Sequence, residues 1–471
     1  MPDAIVVGSG PNGLAAAITL ARAGRSVRVL EAQPTLGGGA RSTALTLPGF
    51  LHDRCSAIHP LAVASPFFRT LPLARHGLEW IQPPLALAHP LDDGTAAILS
   101  QSMEETCASL AADARAYRML MRPYVRAWAA LADELLQPIL HLPRHWLLIP
   151  FGLVGMQSAA RVARRSFRGE AARALFAGLA AHSFLPLDAP GSASFALVLA
   201  MMSHSVGWPL PRGGSQKISD ALAAHLRELG GEIETSRPVA DVREFSTERA
   251  VLLDLTAWEA ARVAGSRLPE AYREKLARFP HGPSVFKIDY ALSAPIPWKA
   301  AACRRAGTVH LGGTLAEIAA GEAAVARGAL PEKPFVLLAQ QSFFDDTRAP
   351  AGQHTAWAYC HIPRGCTVDC TGLIEAQIER FAPGFRDCIL QRHISPPTAL
   401  AAHNANLDGG DISGGANDLW HLFARPTFSA TPYRTPTRGL YLCSASTPPG
   451  GGVHGMCGHH AAKAALRREL R

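Results

Sequence analysis

The chain has 471 residues, of which 48% are hydrophobic and 18% charged, and its formal net charge is +8 at pH 7. This length allows a large buried core and two domains, which excludes a small module held together by disulfides. The basic charge would suit nucleic acid, but the sequence contains no recognised nucleic-acid-binding module. Attraction to an anionic membrane surface, or a basic surface without a binding role, is the better interpretation.

The first predicted elements form a dinucleotide-binding unit over residues 4–41. This segment reads AIVVGSGPNGLAAAITLARAGRSVRVLEAQPTLGGGAR. An apolar strand at 4–7 precedes a glycine-rich turn, a helix over 13–23 and a second strand at 26–30, which ends at Glu31. The order of strand, turn, helix, strand and acidic residue is the one that a dinucleotide-binding fold requires.

The glycines of the turn have the spacing G-x-G-x-x-G. Gly8 allows a tight turn, Gly10 lets the backbone approach a pyrophosphate, and Gly13 lets the helix pack closely on the strand. The N-terminus of the helix offers free amide groups and a partial positive charge to the phosphates. Glu31 is placed to accept a hydrogen bond from a ribose hydroxyl.

A second glycine cluster, residues 37–39, directly follows this unit. It would let the backbone approach a diphosphate and a ribityl chain, and Arg41 could donate hydrogen bonds to the diphosphate. The alternative is a flexible loop with a surface arginine. NAD does not need this second cluster, and no second G-x-G-x-x-G follows a strand elsewhere, so the sequence predicts FAD as the cofactor.

The segment 146–160 is apolar and uncharged, but it is short and Pro150 interrupts it. Arginines at 161, 164, 165 and 168 follow at once. An apolar segment with a basic flank can lie in a membrane interface. It can equally be a buried helix that ends in a solvated basic face. Both interpretations stay open.

The remaining patterns predict the elements of a two-domain protein, with residues 76–210 mostly helical. In chain order the others are a helix over 215–229, strands at 232–234, 239–242, 250–255, 285–292, 335–342 and 354–361, a helix over 373–381, a strand at 440–443 and a helix over 454–466.

Three segments together resemble one protein family. They are GSGPNGLAAAITLARAG with LEA and GGGAR, the stretch 211–242, and GLYLCSASTPPGGGVHGMCGHHAA at 439–462. With them the chain resembles the FAD-dependent phytoene desaturase and carotenoid isomerase superfamily, and most of all its phytoene dehydrogenase-related branch. That branch includes carotenoid desaturases, carotenoid isomerases and retinol saturase.

The resemblance implies an α/β fold, α+β overall, of the amine oxidase and phytoene desaturase kind. A Rossmann-type FAD-binding domain is interleaved with a substrate domain of antiparallel sheet plus helices. The predicted pieces are 1–75, 211–282 and 431–471 for the FAD-binding domain, and 76–210 and 283–430 for the substrate domain.

The resemblance and the fingerprint together assign the cofactor contacts. A backbone group near Val242 would meet the adenine, although any Rossmann strand could have that local sequence. Relatives carry an acidic residue where this chain has Ser444, Ala445 and Ser446, which weakens a ribityl contact by a side chain there. The predicted FAD-binding residues are Gly8, Gly10, Pro11, Asn12, Gly13, Glu31, Ala32, Gly38, Gly39, Arg41, Ser42, Val242, Ser446, Gly451, Gly452 and Val453.

Two histidines are candidate catalytic residues. His454 follows the second glycine loop and is a candidate acid, base or substrate-positioning group; the alternative is a helix cap. His59 could reach the other side of the flavin ring, or be a turn histidine before a proline. His361 is better explained as a satisfied core histidine than as a cavity residue. The carboxylates at 345–346 are expected to be solvated.

These observations predict an FAD-dependent oxidoreductase that introduces or saturates carbon–carbon double bonds in a hydrophobic, isoprenoid or lipid-like substrate. A hydride would pass between the substrate and flavin N5, and a proton would pass to His454 or water. A quinone or oxygen is the expected electron acceptor. The alternatives are a redox-neutral polyene isomerase that uses reduced FAD, an FAD-fold binding protein with structural flavin, and an amine oxidase.

The cellular context is read from cysteines and apolar runs. Nine cysteines fit no disulfide framework, and Cys366 and Cys370 lack a second pair at zinc-ligand spacing, so no metal is expected. No window is long and apolar enough for a transmembrane helix, and the first strand begins too early for a signal peptide. We therefore expect a cytoplasmic protein, peripherally associated at most with the inner face of a membrane.

Overall fold

The computed structural model describes residues 2–138 and 141–471. Its strands are β1 (Ala4–Val7), β2 (Val27–Leu30), β3 (Ser42–Thr43), β4 (His52–Asp53), β5 (Trp80–Ile81), β6 (Leu85–Pro90), β7 (Ala96–Leu99), β8 (Leu210–Pro211), β9 (Glu232–Glu234), β10 (Ala250–Leu253), β11 (Ser284–Leu292), β12 (Ala306–Leu311), β13 (Val336–Ala339), β14 (His354–Ile362), β15 (Ile389–Ser395) and β16 (Leu440–Leu442).

The α-helices are α1 (Pro11–Arg22), α2 (Pro60–Ala64), α3 (Met103–Ser109), α4 (Ala114–Arg126), α5 (Trp128–Leu135), α6 (Leu148–Gly155), α7 (Ala159–Ser166), α8 (Glu170–Ala181), α9 (Ser192–Val206), α10 (Gln216–Glu228), α11 (Ala257–Ala264), α12 (Glu270–Ala277), α13 (Leu315–Ala326), α14 (Thr371–Phe381), α15 (Pro397–His403), α16 (Leu419–Phe423) and α17 (Met456–Leu466). None of the helices within the described ranges is long and apolar enough to cross a bilayer.

The first main sheet is parallel and has the strand order β16-β10-β1-β2-β9. Helices α1, α10 and α17 cover one face, and α11 belongs to the apolar cluster on the other face. Both faces of the sheet are therefore buried, which is why β1 and β10 read as continuous apolar runs. This sheet confirms the predicted Rossmann-type α/β fold.

The second main sheet has the order β15-β11-β14-β13-β12-β6-β7. All neighbouring strands run antiparallel except β12 and β6, which are parallel. Helices α4 to α9 form the helical layer on one face, and α14 covers the other face. The cavity described in the next subsection lies where the helical face of this sheet meets the parallel sheet.

Strands of the parallel sheet come from the three predicted cofactor pieces, and strands of the antiparallel sheet come from the two predicted substrate pieces. The chain therefore leaves and re-enters the parallel sheet twice. The domain boundaries themselves stay a prediction.

Three parts of the sequence interpretation were wrong or incomplete. Residues 76–210 are mostly helical as predicted, with α3 to α9 in this range, but the prediction omitted the hairpin of β6 and β7, which pairs with β12. The alanine-rich composition of β6 and β7 favours helix, and the tertiary pairing overrides it. Strands β12 and β15 were also missed.

The predicted strand at 239–242 is wrong. A short 3-10 helix, Val242–Glu244, stands there, and the Asp241 carboxylate accepts a hydrogen bond from the Arg243 amide at 2.8 Å. An aspartate side chain that binds its own following backbone favours a turn over a strand.

Candidate functional site

A cavity of about 910 Å³ joins the glycine turn of the parallel sheet to the helical face of the antiparallel sheet. Its size and its mixture of apolar walls with a few polar groups are typical of a cofactor and small-molecule site. Among the residues predicted to bind the cofactor, those that line the cavity are Gly8, Gly10, Pro11, Asn12, Glu31, Ala32, Gly38, Gly39, Arg41, Gly451, Gly452 and Val453.

Four predicted cofactor residues lie behind the cavity wall instead. The Gly13 amide donates to Asp254, the Ser42 hydroxyl donates to Asp53, and the Ser446 hydroxyl donates to the Gly414 carbonyl. The fourth, Val242, is fully buried in the apolar cluster beside the sheet, and Val239 lines the cavity in its place. These residues support the wall without facing the ligand space.

The glycine turn has no room for side chains. Gly8 has a φ of +100°, a Cβ on Gly10 would lie 2.5 Å from Asp254 Oδ2, and a Cβ on Gly13 would lie 2.1 Å from the Gly8 carbonyl oxygen. Helix α1 begins after Gly10 without a side-chain cap. The buried Asn12 Oδ1 has no hydrogen-bond partner among the described residues. The free backbone amides at this helix N-terminus are the donors that a dinucleotide pyrophosphate needs. Asn12 Oδ1 is an acceptor, so it suits a donor such as a hydroxyl group of a ligand.

Asp254 is a site residue that sequence reasoning missed. It follows β10, lines the cavity and accepts a hydrogen bond from the Gly13 amide at 2.9 Å. Burial raises the pKa of Asp254 to about 7, and the Glu31 carboxylate nearby acts in the same direction. The strand pattern around residue 250 predicted only a buried strand, so no local signal pointed to a carboxyl group on the turn.

Glu31 lies where the fingerprint predicts, and its carboxylate is already held in place. Oε2 accepts from the Ser9 hydroxyl at 2.5 Å and from the Ser9 amide at 3.1 Å. Oε1 accepts from the Gln33 amide at 2.9 Å and from Arg41 Nη2 at 3.0 Å. A carboxylate has about four acceptor positions, and these four contacts occupy them, so a ribose hydroxyl would bind Glu31 by replacing one of these donors.

Arg41 is buried, which overturns the alternative of a surface arginine in a flexible loop. Its Nη2 donates to the Thr35 carbonyl at 2.7 Å, and its Nε donates to the Leu36 carbonyl at 3.1 Å. In this structure Arg41 fixes the second glycine cluster against Glu31. A Cβ on Gly38 would lie 3.1 Å from the Gly10 Cα, so the two glycine segments approach each other closely.

A second buried arginine, Arg425, holds the C-terminal glycine loop, and no local sequence pattern indicated it. Its Nε donates to the Ala445 carbonyl at 2.8 Å, and its Nη2 donates to the Ser413 carbonyl at 2.7 Å. The loop around Gly450 therefore rests on a buried cation. Because carbonyl dipoles surround that cation, its charge is satisfied without a carboxylate partner.

His454 is buried, and both of its ring nitrogens bind the backbone. Nδ1 accepts from the Met456 amide at 3.0 Å, and Nε2 donates to the Gly450 carbonyl at 3.2 Å. Burial lowers the pKa of His454 to about 4. The neutral ring thus caps the start of α17 and holds the glycine loop, which supports the capping alternative for this residue.

His59 also lines the cavity, but it keeps one ring nitrogen free. The Ser215 hydroxyl donates to the Ser56 carbonyl at 2.6 Å, so it accepts from His59 Nε2 at 2.8 Å. The tautomer is therefore protonated on Nε2, and Nδ1 remains a proton acceptor. Burial lowers the pKa of His59 to about 4, partly opposed by Asp53. A neutral base thus faces the ligand space.

Lys287 on β11 is a cationic wall residue that sequence reasoning also missed. Its Nζ lies 2.5 Å from Asp289 Oδ2 and 5.5 Å from the centre of the Trp357 ring. Burial raises the pKa of Asp289 to about 6, which the Lys287 charge partly offsets. Charged residues at alternate positions are typical of a strand with one exposed face. Lys287 and Asp289 are nevertheless buried, because other elements pack over both faces of β11.

The far end of the cavity is apolar. Six of the larger side chains there are Phe151, Phe195, Met202, Trp208, Leu337 and Trp357. The polar exceptions include His182, whose Nε2 lies 3.0 Å from His310 Nε2. Burial lowers the pKa of His182 to about 3, so this ring is neutral as well. The chamber is built to surround an apolar molecule.

Two further predictions concern residues outside the cavity. His361 is buried with Nδ1 at 2.9 Å from the Glu322 carboxylate, so it is a core histidine as predicted. It is not fully satisfied, because its buried Nε2 has no hydrogen-bond partner among the described residues. The prediction that residue 345 is solvated is wrong, because Asp345 is buried and accepts from Arg348 Nε at 2.6 Å. Its neighbour Asp346 is exposed and pairs with Arg212.

A surface cluster bears on the expectation of no metal. His76, His225 and Glu228 offer ligand atoms that all lie within 4.8 Å of one another. Arg75 also pairs with Glu228 at 3.1 Å, so the carboxylate already has a cationic partner. The absence of a metal stays a prediction.

Comparisons with known proteins agree with this architecture. Residues 6–71 match the model of the NAD(P)-binding Rossmann-like domain family. The chain is 28% identical to pyridine nucleotide-disulfide oxidoreductase domain-containing protein 2 of Mus musculus, over 99% of this chain and 93% of that protein. It is 30% identical to hydroxyneurosporene desaturase of Cereibacter sphaeroides, over 51% of each chain.

Among solved structures, the fold is similar to putrescine oxidase bound to putrescine, with a TM-score of 0.63 and 16% identity, covering 100% of this chain and 99% of that one. At this identity the likeness concerns the fold alone. The chain therefore has a dinucleotide-binding Rossmann domain within an oxidase-like α/β fold.

Proposed function

We propose that this chain binds FAD and is an oxidoreductase of the phytoene dehydrogenase-related branch, which desaturates or saturates carbon–carbon bonds of an apolar, isoprenoid or lipid-like substrate. The observation that carries this proposal is one cavity lined both by the dinucleotide turn and by large apolar side chains. A cofactor and an apolar molecule can meet in it end to end.

The residues of the cavity suit FAD better than a shorter dinucleotide. The lining includes Gly10, Gly38 and the loop at Gly451 and Gly452, so three glycine segments border the cavity, whereas the pyrophosphate of a shorter dinucleotide needs only the first. Glu31 and the N-terminus of α1 would hold the adenosine and phosphate half, and the loop at 450–453 the flavin half. When bound, FAD supplies an atom, N5, that accepts or donates a hydride.

The chain's own residues then have three tasks. Phe195, Trp208 and Trp357 orient an apolar substrate and exclude water. His59 Nδ1 accepts or returns the proton that accompanies the hydride, because it is a neutral base facing the cavity. His454 keeps the glycine loop in place. The role first predicted for His454 thus passes to His59.

Lys287 adds a fixed positive charge on the chamber wall. A preorganised cation stabilises negative charge that develops nearby during a reaction. Because Asp289 holds the ammonium group at 2.5 Å, the cation keeps its position before and after the reaction. The electron acceptor in this proposal is a quinone or oxygen.

The relatives support a desaturase more than an amine oxidase. Hydroxyneurosporene desaturase is named for removing hydrogen from hydroxyneurosporene, and half of this chain matches it. Putrescine oxidase shares the fold, and its name gives an amine substrate. Because large apolar side chains line the chamber and Asp289 already pairs with Lys287, we propose carbon–carbon chemistry on an apolar substrate.

The test begins with the absorbance spectrum of the purified protein and the identity of the cofactor released on denaturation. FAD should appear, and anaerobic mixing with an acyclic isoprenoid polyene should bleach the flavin band. Bleaching by putrescine instead would favour the amine oxidase. Double-bond isomerisation only after reduction with dithionite would favour the isomerase. A flavin that neither dithionite nor any substrate reduces would favour the binding protein with structural FAD, and a colourless protein that cannot be reconstituted would overturn the cofactor assignment.

A further inference from the structure

Two histidines and a glutamate from distant parts of the chain meet beside helix α10. His225 and Glu228 are three residues apart on α10, so they share one side of the helix. His76 is the last residue of the short 3-10 helix Leu73–His76 and is 152 residues from Glu228. Their ligand atoms all lie within 4.8 Å of one another, and no other group of this kind occurs in the described ranges. We call these three residues the histidine cluster.

Apolar packing fixes the position of His76 beside the helix. Leu73 and Leu78, which flank His76 in the chain, belong to the same buried apolar cluster as Leu222 of α10. Gly77 has a φ of +83° and ends the 3-10 helix, a conformation that glycine adopts without strain. The chain on both sides of His76 is therefore held against α10 by its own core contacts. The histidine cluster is assembled by the fold and does not depend on a ligand for its existence.

The distances within the cluster resemble those of a tetrahedral metal site. His76 Nε2 and His225 Nδ1 lie 3.1 Å and 3.2 Å from the same atom, Glu228 Oε2. In a tetrahedral zinc site with bonds of about 2.0 to 2.1 Å, neighbouring ligand atoms are about 3.3 Å apart. Two of the three separations therefore already have the required length. The third, between the two ring nitrogens, is at most 4.8 Å, so only this edge has to shorten.

The two carboxylate oxygens of Glu228 have separate partners. Arg75 Nη2 donates to Oε1 at 3.1 Å, whereas both histidines approach Oε2. The ion pair with Arg75 therefore leaves Oε2 available to a metal and fixes the orientation of the carboxylate, as outer partners of metal ligands commonly do. The Arg75 side chain is 70% exposed, so water screens its charge. A cationic partner on Oε1 is thus compatible with a metal on Oε2.

The types of ligand in the cluster select the metal. Imidazole nitrogens suit zinc, whereas magnesium and calcium prefer oxygen ligands alone. The side chains of His76 and His225 are 15% and 9% exposed, and that of Glu228 is 44% exposed. A metal would therefore be shielded on the histidine side and open to water on the glutamate side. Two histidines, one glutamate and one water complete a tetrahedron around zinc.

We propose that the histidine cluster binds one Zn²⁺ ion, with water as the fourth ligand, and that the ion joins the 3-10 helix Leu73–His76 to α10. This site revises the expectation of no metal, which rested on cysteine spacing; histidines so far apart in the chain leave no motif. The cluster is separate from the residues that line the cavity, so the inference does not depend on the proposed function. Because the ion joins distant residues, its binding stabilises the folded chain.

Zinc binding is tested on the full chain as purified, after EDTA treatment and dialysis. Equilibrium dialysis with Zn²⁺ should give one bound ion per chain at micromolar zinc, and X-ray absorption of the zinc-loaded protein should show two imidazole ligands and no sulfur. Added Zn²⁺ should raise the melting temperature, whereas Mg²⁺ should not. His76→Gln should weaken zinc binding by roughly tenfold or more and remove the rise in melting temperature. Glu228→Gln, at an exposed position, should behave in the same way.

The matched control is His421→Gln. His421 also pairs with a carboxylate three residues away, Asp418, and its side chain is 19% exposed, but the described residues offer this pair no third ligand. The control should bind zinc like the wild type, and the melting temperature of each metal-free variant reports whether its fold is retained. Zinc bound only at millimolar concentration would make the ion adventitious. Sulfur in the X-ray absorption spectrum, or equal zinc affinity for His76→Gln, Glu228→Gln and the control, would place the ion elsewhere and overturn the proposal.

Discussion

Asp254 Oδ2 lies 2.9 Å from the amide nitrogen of Gly13, in the space that a Cβ on Gly10 would occupy. These partners are 241 residues apart in the chain. The Asp254 carboxyl group therefore packs against the backbone of the glycine turn, next to the ligand space. A negative charge at this point would oppose a pyrophosphate, whereas the protonated form would not.

The first prediction concerns the pH dependence of stability. Burial raises the pKa of Asp254 from 3.8 to about 7, so between these values the folded chain holds a proton that the unfolded chain has released. Stability should therefore fall as pH rises through this window, by about 4 kcal/mol in total for this group. Asp254→Asn cannot ionise and should flatten that part of the profile. Urea unfolding at fixed FAD concentration from pH 4 to pH 8 measures the difference, and equal slopes for both proteins would contradict the assignment.

The second prediction tests the glycine turn. A Cβ on Gly10 meets Asp254 Oδ2 at 2.5 Å, so Gly10→Ala should displace the carboxyl group or the turn and weaken FAD binding by roughly tenfold or more. Gly372→Ala is the control, because a Cβ there meets nothing within 4 Å and the residue lies in α14. Titration of apoprotein with FAD, followed by flavin fluorescence, gives both affinities. Unchanged affinity in Gly10→Ala would remove the pyrophosphate from this turn.

The third prediction separates the two histidines. His59→Gln keeps a donor for the Ser215 hydroxyl but removes the basic Nδ1, so turnover should fall by roughly a hundredfold or more while FAD stays bound. His454→Gln loses the two hydrogen bonds by which the ring nitrogens contact the Gly450 carbonyl and the Met456 amide. It should therefore lower the melting temperature and the FAD content together. Turnover, flavin content and thermal unfolding are measured for both variants. If His454→Gln keeps its flavin and stability but loses turnover, the original assignment of His454 as the acid/base residue stands.

The sequence was informative where the structure is local. Strand β1, the glycine turn, α1 and Glu31 follow one another within a few dozen residues, so period, glycine spacing and the terminal acid predict their arrangement. The long apolar strands β11 and β14 were predicted for the same reason. Their lengths and patterns specify strands without knowledge of their partners.

The parts that escaped prediction depend on distant partners. Strand β6 becomes a strand because β12 pairs with it in parallel. Lys287 is buried because Trp357 and Asp289 surround it, and Asp254 meets the turn only because β10 lies beside β1. None of these contacts leaves a periodic signal in the local sequence. The chemistry of the site therefore comes mostly from residues that topology, and not motif, brings together.

The last prediction concerns the chamber beneath α6. A Cβ on Gly152 meets nothing within 4 Å, and the residue lines the cavity, so a side chain can begin there without a clash at its first atom. Gly152→Phe should place a ring in the part of the cavity that α6 lines. Because the glycine turn and the flavin loop are elsewhere in the cavity, FAD content and reduction by dithionite should match the wild type. Reduction by the apolar substrate should slow by roughly tenfold or more, since one ring occupies space that the substrate needs. Stopped-flow absorbance under anaerobic conditions measures both reductions, and Gly372→Phe, where an added Cβ also meets nothing within 4 Å, is the matched control. A Gly152→Phe protein that the substrate reduces at the wild-type rate would mean that the substrate does not occupy this part of the cavity.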